Sequence, residues 1–541
     1  MDRPEPDQRS EHRLAGLKLV SLLTLLSRFT GLARDSLMAS LFGTGWLLDA
    51  FTFAFRVPNM FRRLFGEGAL TAAFLPMFVQ VDKQKGRGSA NLLFSGVAWR
   101  LLKILLSFLI FIEIVLGAIL IALPMSYRST LLCELGLILM PYMLLICMAG
   151  LYAAALNGVQ HFLTPALVPI VLNLTWLGGG CWAALNFSSG PTEIRWIAAF
   201  ITSAGFLQLA VVAWKARQYG IRFQNPTSSG NKEAKAVFRL MAPVLLGLSI
   251  TQINGIVDTL MAWVLSSGNL ADYPSLEHFR LPTGTAGALY LGQRLLQFPQ
   301  GVFAVALGTV LFPRFAKHAT SKDRDELNRD VTHGLQLVLL VGIPSSVGLW
   351  FMAAPITNLL FRYGQFDGDS AYITAQMIGS YGLGVWIVSG LLIVNRVFYA
   401  VGDQITPMRL GIACVGLNLI FDVIFVPMLG GPALPIASMT ATLFQFALSL
   451  EALRGRFLNL QSRFFGPLLW RIVVGSLLMN LAGLGMLYAV SPLDGTISEF
   501  MYRLIKVVVP VAVSALVYAI ALKATGLSLK KIAKDVYQPA G

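Results

Sequence analysis

Long apolar segments recur along nearly the whole chain, and no other feature constrains its fold as strongly. A helix that crosses a bilayer needs about 20 mostly apolar residues. Of the 541 residues, 56% are hydrophobic and only 13% are charged, which is more apolar surface than a soluble core would bury. The sequence therefore predicts an all-α, polytopic membrane protein. About fourteen segments are long and apolar enough to span a membrane, at residues 15–42, 46–80, 92–124, 131–157, 163–187, 192–215, 236–266, 284–316, 331–353, 370–401, 406–428, 432–453, 466–490 and 500–523.

Basic residues are concentrated in alternate connections between these segments. Cytoplasmic loops carry an excess of lysine and arginine, so the alternation predicts an even number of spans with both termini in the cytoplasm. The N-terminal residues lack the apolar region of a signal peptide, and we expect residues 1–14 and 526–541 to be cytoplasmic tails. The net charge of +15 then reflects membrane topology rather than nucleic-acid binding. The basic connections lie around residues 83–87, 215–235, 314–329, 454–463 and 530–534.

Short motifs recur at a nearly constant offset, which indicates an internal duplication. The motif FLP at 74–76 returns as LFP at 311–313, an offset of 237 residues. Thr164-Pro165 returns as Thr406-Pro407, an offset of 242, and each pair opens a segment that carries one asparagine, Asn173 or Asn418. We expect two six-helix lobes related by a pseudo-twofold axis along the membrane normal. They are 15–217 and 236–455, joined by a cytoplasmic linker at 218–235 and followed by two additional helices at 464–525.

Charged side chains interrupt the first two apolar segments. A charge at mid-membrane costs about 2.5–3.5 kcal/mol on insertion scales, so such groups normally face a wet cavity or a partner. Guanidinium groups bind phosphate through paired hydrogen bonds and stay charged when desolvated. We therefore predict a cationic cavity for an anionic substrate, with local ion pairing or snorkelling as the alternative. The charged residues are Arg28, Arg34, Asp35, Asp49, Arg56, Arg62, Arg63 and Glu67, and Arg294 is the corresponding cation of the second half.

A second polar group combines Asp258 with Asn418 and Asp422. The last two residues are four positions apart and share one helix face. Two carboxylates and an amide oxygen suit Na⁺ or a proton, with a hydrogen-bonded patch between helices as the alternative. Ser438 and Thr440 on the next segment are weaker candidates for the same site.

The sequence contains no recognisable catalytic set. It lacks a Walker loop, HExxH and GxSxG, so no enzyme activity and no cofactor are predicted apart from Na⁺ as a coupling ion. Its four cysteines lie in apolar segments without paired spacing, and we expect neither a disulfide nor a metal at them. The histidines do not cluster, lying at His12, His161, His278, His318 and His333.

Over nearly its whole length the chain resembles the MurJ/MviN family of lipid II flippases, in the MOP exporter superfamily. The resemblance implies a V-shaped pair of lobes, with 464–525 forming a groove for the polyprenyl tail of lipid II. It also implies that Asp258, Asn418 and Asp422 match positions that some members use for Na⁺. The diphosphate and sugar headgroup would be contacted by Arg28, Arg34, Arg62 and Arg294, supported by Ser27, Asp49 and Glu67. The motifs that carry the resemblance are SRFTGLARD (27–35), LDAFTFAFRVPNMFRRLFGEGA (48–69), TPALVPIVLN (164–173) and FPQGVFAVALGTVLFP (298–313).

The resemblance predicts a bacterial inner-membrane protein that moves lipid II outward by alternating access, with membrane lipids and cell-wall synthases as its other partners. Gln293 and Gln297 replace acidic residues that many members carry, and Leu392 replaces a lysine, with Arg396 one turn later. Another MOP exporter remains the alternative, either an O-antigen-type polyprenyl-diphosphate flippase or a drug/cation antiporter. A membrane enzyme would need a catalytic acid or histidine near an interface, and a scaffold would not need arginines within its spans.

Overall fold

The structure is a computed structural model that describes residues 6–187, 190–225, 228–266, 274–321, 323–456 and 466–527. The described residues are almost entirely helical, and no strand occurs among them. The helices are α1 (Pro6–Phe42), α2 (Trp46–Phe61), α3 (Leu75–Ala122), α4 (Tyr127–Gly158), α5 (Leu163–Asn186), α6 (Pro191–Gln218), α7 (Ser228–Ser266), α8 (Thr285–Pro299), α9 (Val305–Ser321), α10 (Arg324–Phe351), α11 (Ala353–Leu360), α12 (Gly368–Gly382), α13 (Val385–Ala400), α14 (Ile405–Leu429), α15 (Ala433–Arg456), α16 (Gly466–Val490) and α17 (Glu499–Ala524).

Each apolar segment predicted from the sequence coincides with helix, and the all-helical membrane fold is confirmed. Within the described ranges ten helices are long and apolar enough to cross a bilayer, or eleven if the bent pair α12–α13 is one span. The count of fourteen therefore stays a prediction. The second and third predicted segments run together because α3 continues through the connection between them. Only Gly86, at φ +80°, interrupts its helical backbone there.

In the described part of the chain, two segments of π-helix interrupt the spans. Residues Arg62–Phe74 join α2 to α3, and residues Gln300–Ala304 join α8 to α9. The first follows Pro58 and contains Gly66, two residue types that disfavour a regular α-helix. The two π segments begin 238 residues apart, close to the offset of the repeated motifs. Such segments frequently mark functional sites in helices.

A local capping contact also recurs between the halves. The Thr164 hydroxyl lies 2.7 Å from His161 Nε2, at the start of α5. The Thr406 hydroxyl donates to Asp403 Oδ2 at 2.7 Å, at the start of α14. Both partners lie three residues before the threonine, which supports the duplication. The symmetry between two lobes stays a prediction.

The chain divides into two compact units, Met1–Gln252 and Ile253–Gly541. The division falls within α7, later than the predicted linker at 218–235. Part of that linker is packed on α3, because Asn91 Nδ2 donates to the Gly220 carbonyl at 3.0 Å and the Gln224 N–H donates to Ser95 Oγ at 2.8 Å. The predicted domain limits stay a prediction.

The two C-terminal helices belong to the second unit and pack against α10 and α11. Pro344 lies inside α10 and has no N–H to donate to the Leu340 carbonyl one turn earlier. The Tyr518 hydroxyl of α17 donates to this carbonyl at 2.7 Å. The same helix carries Arg503, which donates to the Arg362 carbonyl just beyond α11 at 2.5 Å.

Candidate functional site

The first site lies in the first unit, where α1 packs against α5. One face of α1 carries Ser27 and the residues three, four and seven positions after it, which are Thr30, Gly31 and Arg34. Asn173 of α5 faces this stripe, and a Cβ on Gly31 would lie 3.4 Å from its Nδ2. The small residue on α1 therefore leaves room for the amide.

Asn173 is the centre of this contact and is 5% exposed. Its Nδ2 donates to the Ser27 carbonyl at 2.9 Å and to the Thr30 hydroxyl at 3.1 Å. Its Oδ1 accepts from Arg34 Nη1 at 3.0 Å. Sequence analysis used Asn173 only as a marker of the repeat and missed this role. An amide within an otherwise apolar span was the available signal.

Arg34 is enclosed by internal partners and is 3% exposed. Its Nη2 donates to Asp35 Oδ1 at 2.6 Å, and its Nε donates to the same oxygen at 3.0 Å. The guanidinium carbon lies 4.2 Å from the ring centroid of Trp176, close enough for a cation–π contact. Arg34 therefore forms the local ion pair that the sequence analysis gave as the alternative to a binding role. A phosphate at this guanidinium would compete with Asp35.

Arg28 has a different environment, one and a half turns earlier on α1. It is half-buried and makes no hydrogen bond or ion pair within the residues that the structure describes. Ser27 beside it is also half-buried, whereas Asp49 on α2 is 1% exposed. The side chain of Glu67 lies outside the described residues.

Arg62 and Arg294 lie beside the two π-helical segments. Arg62 Nε donates to Asn59 Oδ1 at 3.0 Å, one turn earlier. Arg294 Nη2 donates to the Tyr290 hydroxyl at 3.0 Å, and its guanidinium carbon is 5.1 Å from that ring's centroid. The roles of the four arginines in binding a headgroup stay predictions.

The second site lies in the second unit, between α7, α14 and α15. Asp258 is 4% exposed. Its Oδ1 accepts from Asn418 Nδ2 at 2.6 Å, and its Oδ2 accepts from the Ser438 hydroxyl at 2.6 Å. Asn418 Nδ2 also lies 3.3 Å from Asp422 Oδ2. Thr440 is placed differently, because its hydroxyl donates to the Ile436 carbonyl of its own helix at 2.8 Å.

Three buried oxygens of this second site make no hydrogen bond within the described part of the chain. They are Oδ1 of Asn418, of Asp422 and of Asn254, whose Nδ2 donates to Ser438 Oγ at 3.2 Å. Buried acceptors are normally satisfied, so a cation or a proton bound in this cluster would satisfy oxygens that lack a donor. Carboxylate and amide oxygens are the ligands that a hard cation prefers. The residues present therefore fit Na⁺.

The two sites are built alike but differ in charge. In each half, an asparagine on the fifth predicted span bonds to the first predicted span of the same half. Asn173 accepts from Arg34, and Asn418 donates to Asp258. The asparagine of the fifth predicted span thus contacts a cation in one half and an anion in the other.

The helical fold is similar to that of two solved structures of membrane transporters. A solved structure described as lipid II flippase MurJ in an inward closed conformation matches with a TM-score of 0.73 and 24% identity, over 96% of this chain and 100% of that one. An inward-facing MATE multidrug resistance transporter matches with a TM-score of 0.62 and 13% identity, over 81% of this chain and 97% of that one.

Comparison of the sequence identifies the family to which the chain belongs. The family model described as "Lipid II flippase MurJ" matches residues 38–507, so the chain belongs to this family, as the resemblance predicted. The lipid II flippase MurJ of Burkholderia cenocepacia is 29% identical over 430 residues, covering 78% of this chain and 80% of that protein. A probable lipid II flippase MurJ of Buchnera aphidicola is 27% identical over 522 residues, covering 94% and 97%.

Proposed function

We propose that this protein moves lipid II from the inner to the outer leaflet of the bacterial cytoplasmic membrane, and that it is a transporter rather than an enzyme. The observation that carries the proposal is the family match across residues 38–507. The names of the relatives and the shared fold support it. Both termini are cytoplasmic in this proposal, as the basic loops predict.

The substrate explains why arginines are retained in the spans. The polyprenyl tail of lipid II can remain in the bilayer, but its diphosphate-sugar headgroup cannot cross hydrocarbon without losing its hydration. A guanidinium at bilayer depth replaces part of that hydration with charge-assisted hydrogen bonds. Arg28 is half-buried and has no described partner to displace, so in our proposal it makes the first contact with the diphosphate.

Arg34 contributes in a different way. It is held by Asn173, Asp35 and Trp176, so a phosphate would reach its guanidinium only by displacing the Asp35 carboxylate. Alternating access would then expose the bound headgroup first to the cytoplasm and then to the other side. Arg62 and Arg294 complete the set, with Ser27, Asp49 and Glu67 as supporting residues.

We also propose Na⁺ as the coupling ion. Asp258, Asn418, Asp422 and Asn254 would hold it, because three of their oxygens are buried without a hydrogen bond. A bound Na⁺ would supply a charge whose inward movement can be coupled to resetting of the carrier. Ser438 orients Asp258 by donating to its Oδ2.

Purified protein in vesicles tests the function directly. Labelled lipid II is placed in one leaflet, and its accessibility in each leaflet is followed with and without Na⁺. Arg28→Ala should abolish translocation while leaving the amount of folded protein unchanged, because Arg28 has no described internal partner. Arg409→Ala, at an exposed arginine of α14, is the control. Wild-type rates in Arg28→Ala would remove its phosphate-binding role. Transport of a polyprenyl-linked O-antigen in preference to lipid II would replace the proposed substrate.

A further inference from the structure

One more intramembrane arginine, Arg396 of α13, is not needed by the function proposed above. It is half-buried and lies in an apolar helix, four residues before that helix ends at Ala400. Within the described residues it makes no hydrogen bond and no ion pair. A guanidinium without a carboxylate is costly inside a membrane, so such a group normally serves a ligand or reaches an interface.

The neighbouring helix α9 is shaped to receive this side chain. Gly308 of α9 is buried, and a Cβ added to it would lie 2.7 Å from both Cζ and Nε of Arg396. Real Cβ atoms do not approach so closely, so only glycine permits this position of the guanidinium. The side chain is therefore seated in a notch and is not merely extended along the helix surface.

The notch has rigid walls. Val397 and Phe398 of α13 pack with Leu311 and Phe315 of α9 in one buried cluster, which fixes the two helices against each other. The π-helical segment Gln300–Ala304 also packs against α13. A guanidinium held by packing loses less conformational entropy when it binds a ligand than one on a free stem.

The position is distinct from the predicted headgroup site of this half. Gly308 lies fourteen residues after Arg294 along the run of helix that includes the π segment. At the rise of an α-helix this corresponds to about 20 Å. On α13, Arg396 lies four residues before the end at Ala400, or about 6 Å, on the side where the basic loops predict the cytoplasm. The phosphate of a lipid in the inner leaflet would lie at this level.

From these contacts we propose that Arg396 in the Gly308 notch is a binding site for a phosphate carried on a lipid, near the cytoplasmic end of α13. The role of this site rests on the proposed function, in which a polyprenyl diphosphate would be captured here before it moves toward the deeper arginines. The same chemistry would hold the phosphate of an ordinary anionic phospholipid. The test separates these two sources.

Native mass spectrometry of the full chain in maltoside micelles, which contain no phosphate, measures binding. Farnesyl diphosphate and dioleoylphosphatidylglycerol are titrated separately. We expect Arg396→Gln to weaken binding of at least one probe about tenfold, since a charge-assisted contact is lost. Gly308→Ala should act in the same direction, because it displaces the guanidinium and leaves the charge in the chain.

Two control variants isolate the notch. Gly416→Ala makes the same change in α14, where an added Cβ meets nothing within 4 Å. Arg409→Gln removes an exposed arginine four residues into α14, at a matching distance from the helix end. Both should bind each probe as the wild type does. Thermal unfolding confirms that every variant is folded, and Arg396→Lys should retain part of the binding.

Each outcome decides the proposal. Loss of farnesyl diphosphate binding in Arg396→Gln and Gly308→Ala supports a capture site for the substrate, and selective loss of phosphatidylglycerol supports a site for a bilayer lipid. Unchanged binding of both probes, an equal loss in Arg409→Gln, or no saturable binding by the wild type overturns the site. These results leave the proposed function intact if the wild type still translocates lipid II in vesicles. Failure of that translocation refutes the proposed function separately.

Discussion

The amide of Asn173 offers the sharpest test of the contact between α1 and α5. Asn173→Ala removes two donated bonds, to the Ser27 carbonyl and the Thr30 hydroxyl, and one acceptor for Arg34. Interhelical hydrogen bonds in membranes average about 0.6 kcal/mol each. A hydrogen bond to a charged group contributes about 1.5–3 kcal/mol. The sum predicts a loss of about 3 kcal/mol in the free energy of unfolding.

The measurement is reversible unfolding in mixed micelles, followed by tryptophan fluorescence. Trp176 is an internal reporter, because its ring lies over the Arg34 guanidinium. Asn186→Ala is the matched control on the same helix. Asn186 is exposed at the end of α5, and its one hydrogen bond within the described residues goes to the Trp182 carbonyl of its own helix. It should change the free energy of unfolding by no more than about 0.5 kcal/mol.

A double-mutant cycle of Asn173→Ala with Arg34→Gln isolates the bond between these two side chains. We expect a coupling energy of about 1.5 kcal/mol or more, because one partner is charged and both are buried. Independent sites add within about 0.3–0.5 kcal/mol. Additivity within that range would refute the claim that Asn173 holds Arg34, even if Asn173→Ala alone were destabilising.

Two further predictions concern the second unit. Tyr518→Phe should lower the free energy of unfolding by about 1–2 kcal/mol, because it leaves the Leu340 carbonyl in α10 without a donor; Tyr488→Phe, at a side chain that is 83% exposed, should have no effect in the same unfolding assay. Asp258→Asn should abolish stabilisation by Na⁺, measured as the rise in melting temperature between choline and sodium buffers of equal ionic strength. A wild type that melts at one temperature in both buffers would refute the sodium proposal.

Much of the fold was predictable from the sequence because burial in lipid depends on short-range composition. Hydropathy located the long apolar helices, but not the short helix α11, which lies between two predicted segments. The uninterrupted run of α3 through Gly86 was not predictable. A polar, basic connection resembles a loop in sequence even when the backbone remains helical on both sides of one glycine.

The residue types of the two candidate sites were predictable from the sequence, but the hydrogen-bond partners of those residues were not. Sequence reasoning identified Arg34 and Asp258 as intramembrane charges, since each is costly in an apolar span. It could not decide between a ligand and an internal partner for Arg34, because that choice depends on Asn173, which lies 139 residues away. The Gly308 notch was also missed, because a glycine in an apolar helix gives no sign of what approaches it.

The paired use of asparagine in the two halves has a consequence for how such a chain can diversify. A carboxamide presents an acceptor and a donor within one small group, so it can satisfy a guanidinium or a carboxylate without a change of residue. Asn173 and Asn418 do this in the two halves. A repeated helical unit built on this amide can therefore reverse the sign of the charge that it shelters through substitution on one helix alone, while the helix opposite is preserved.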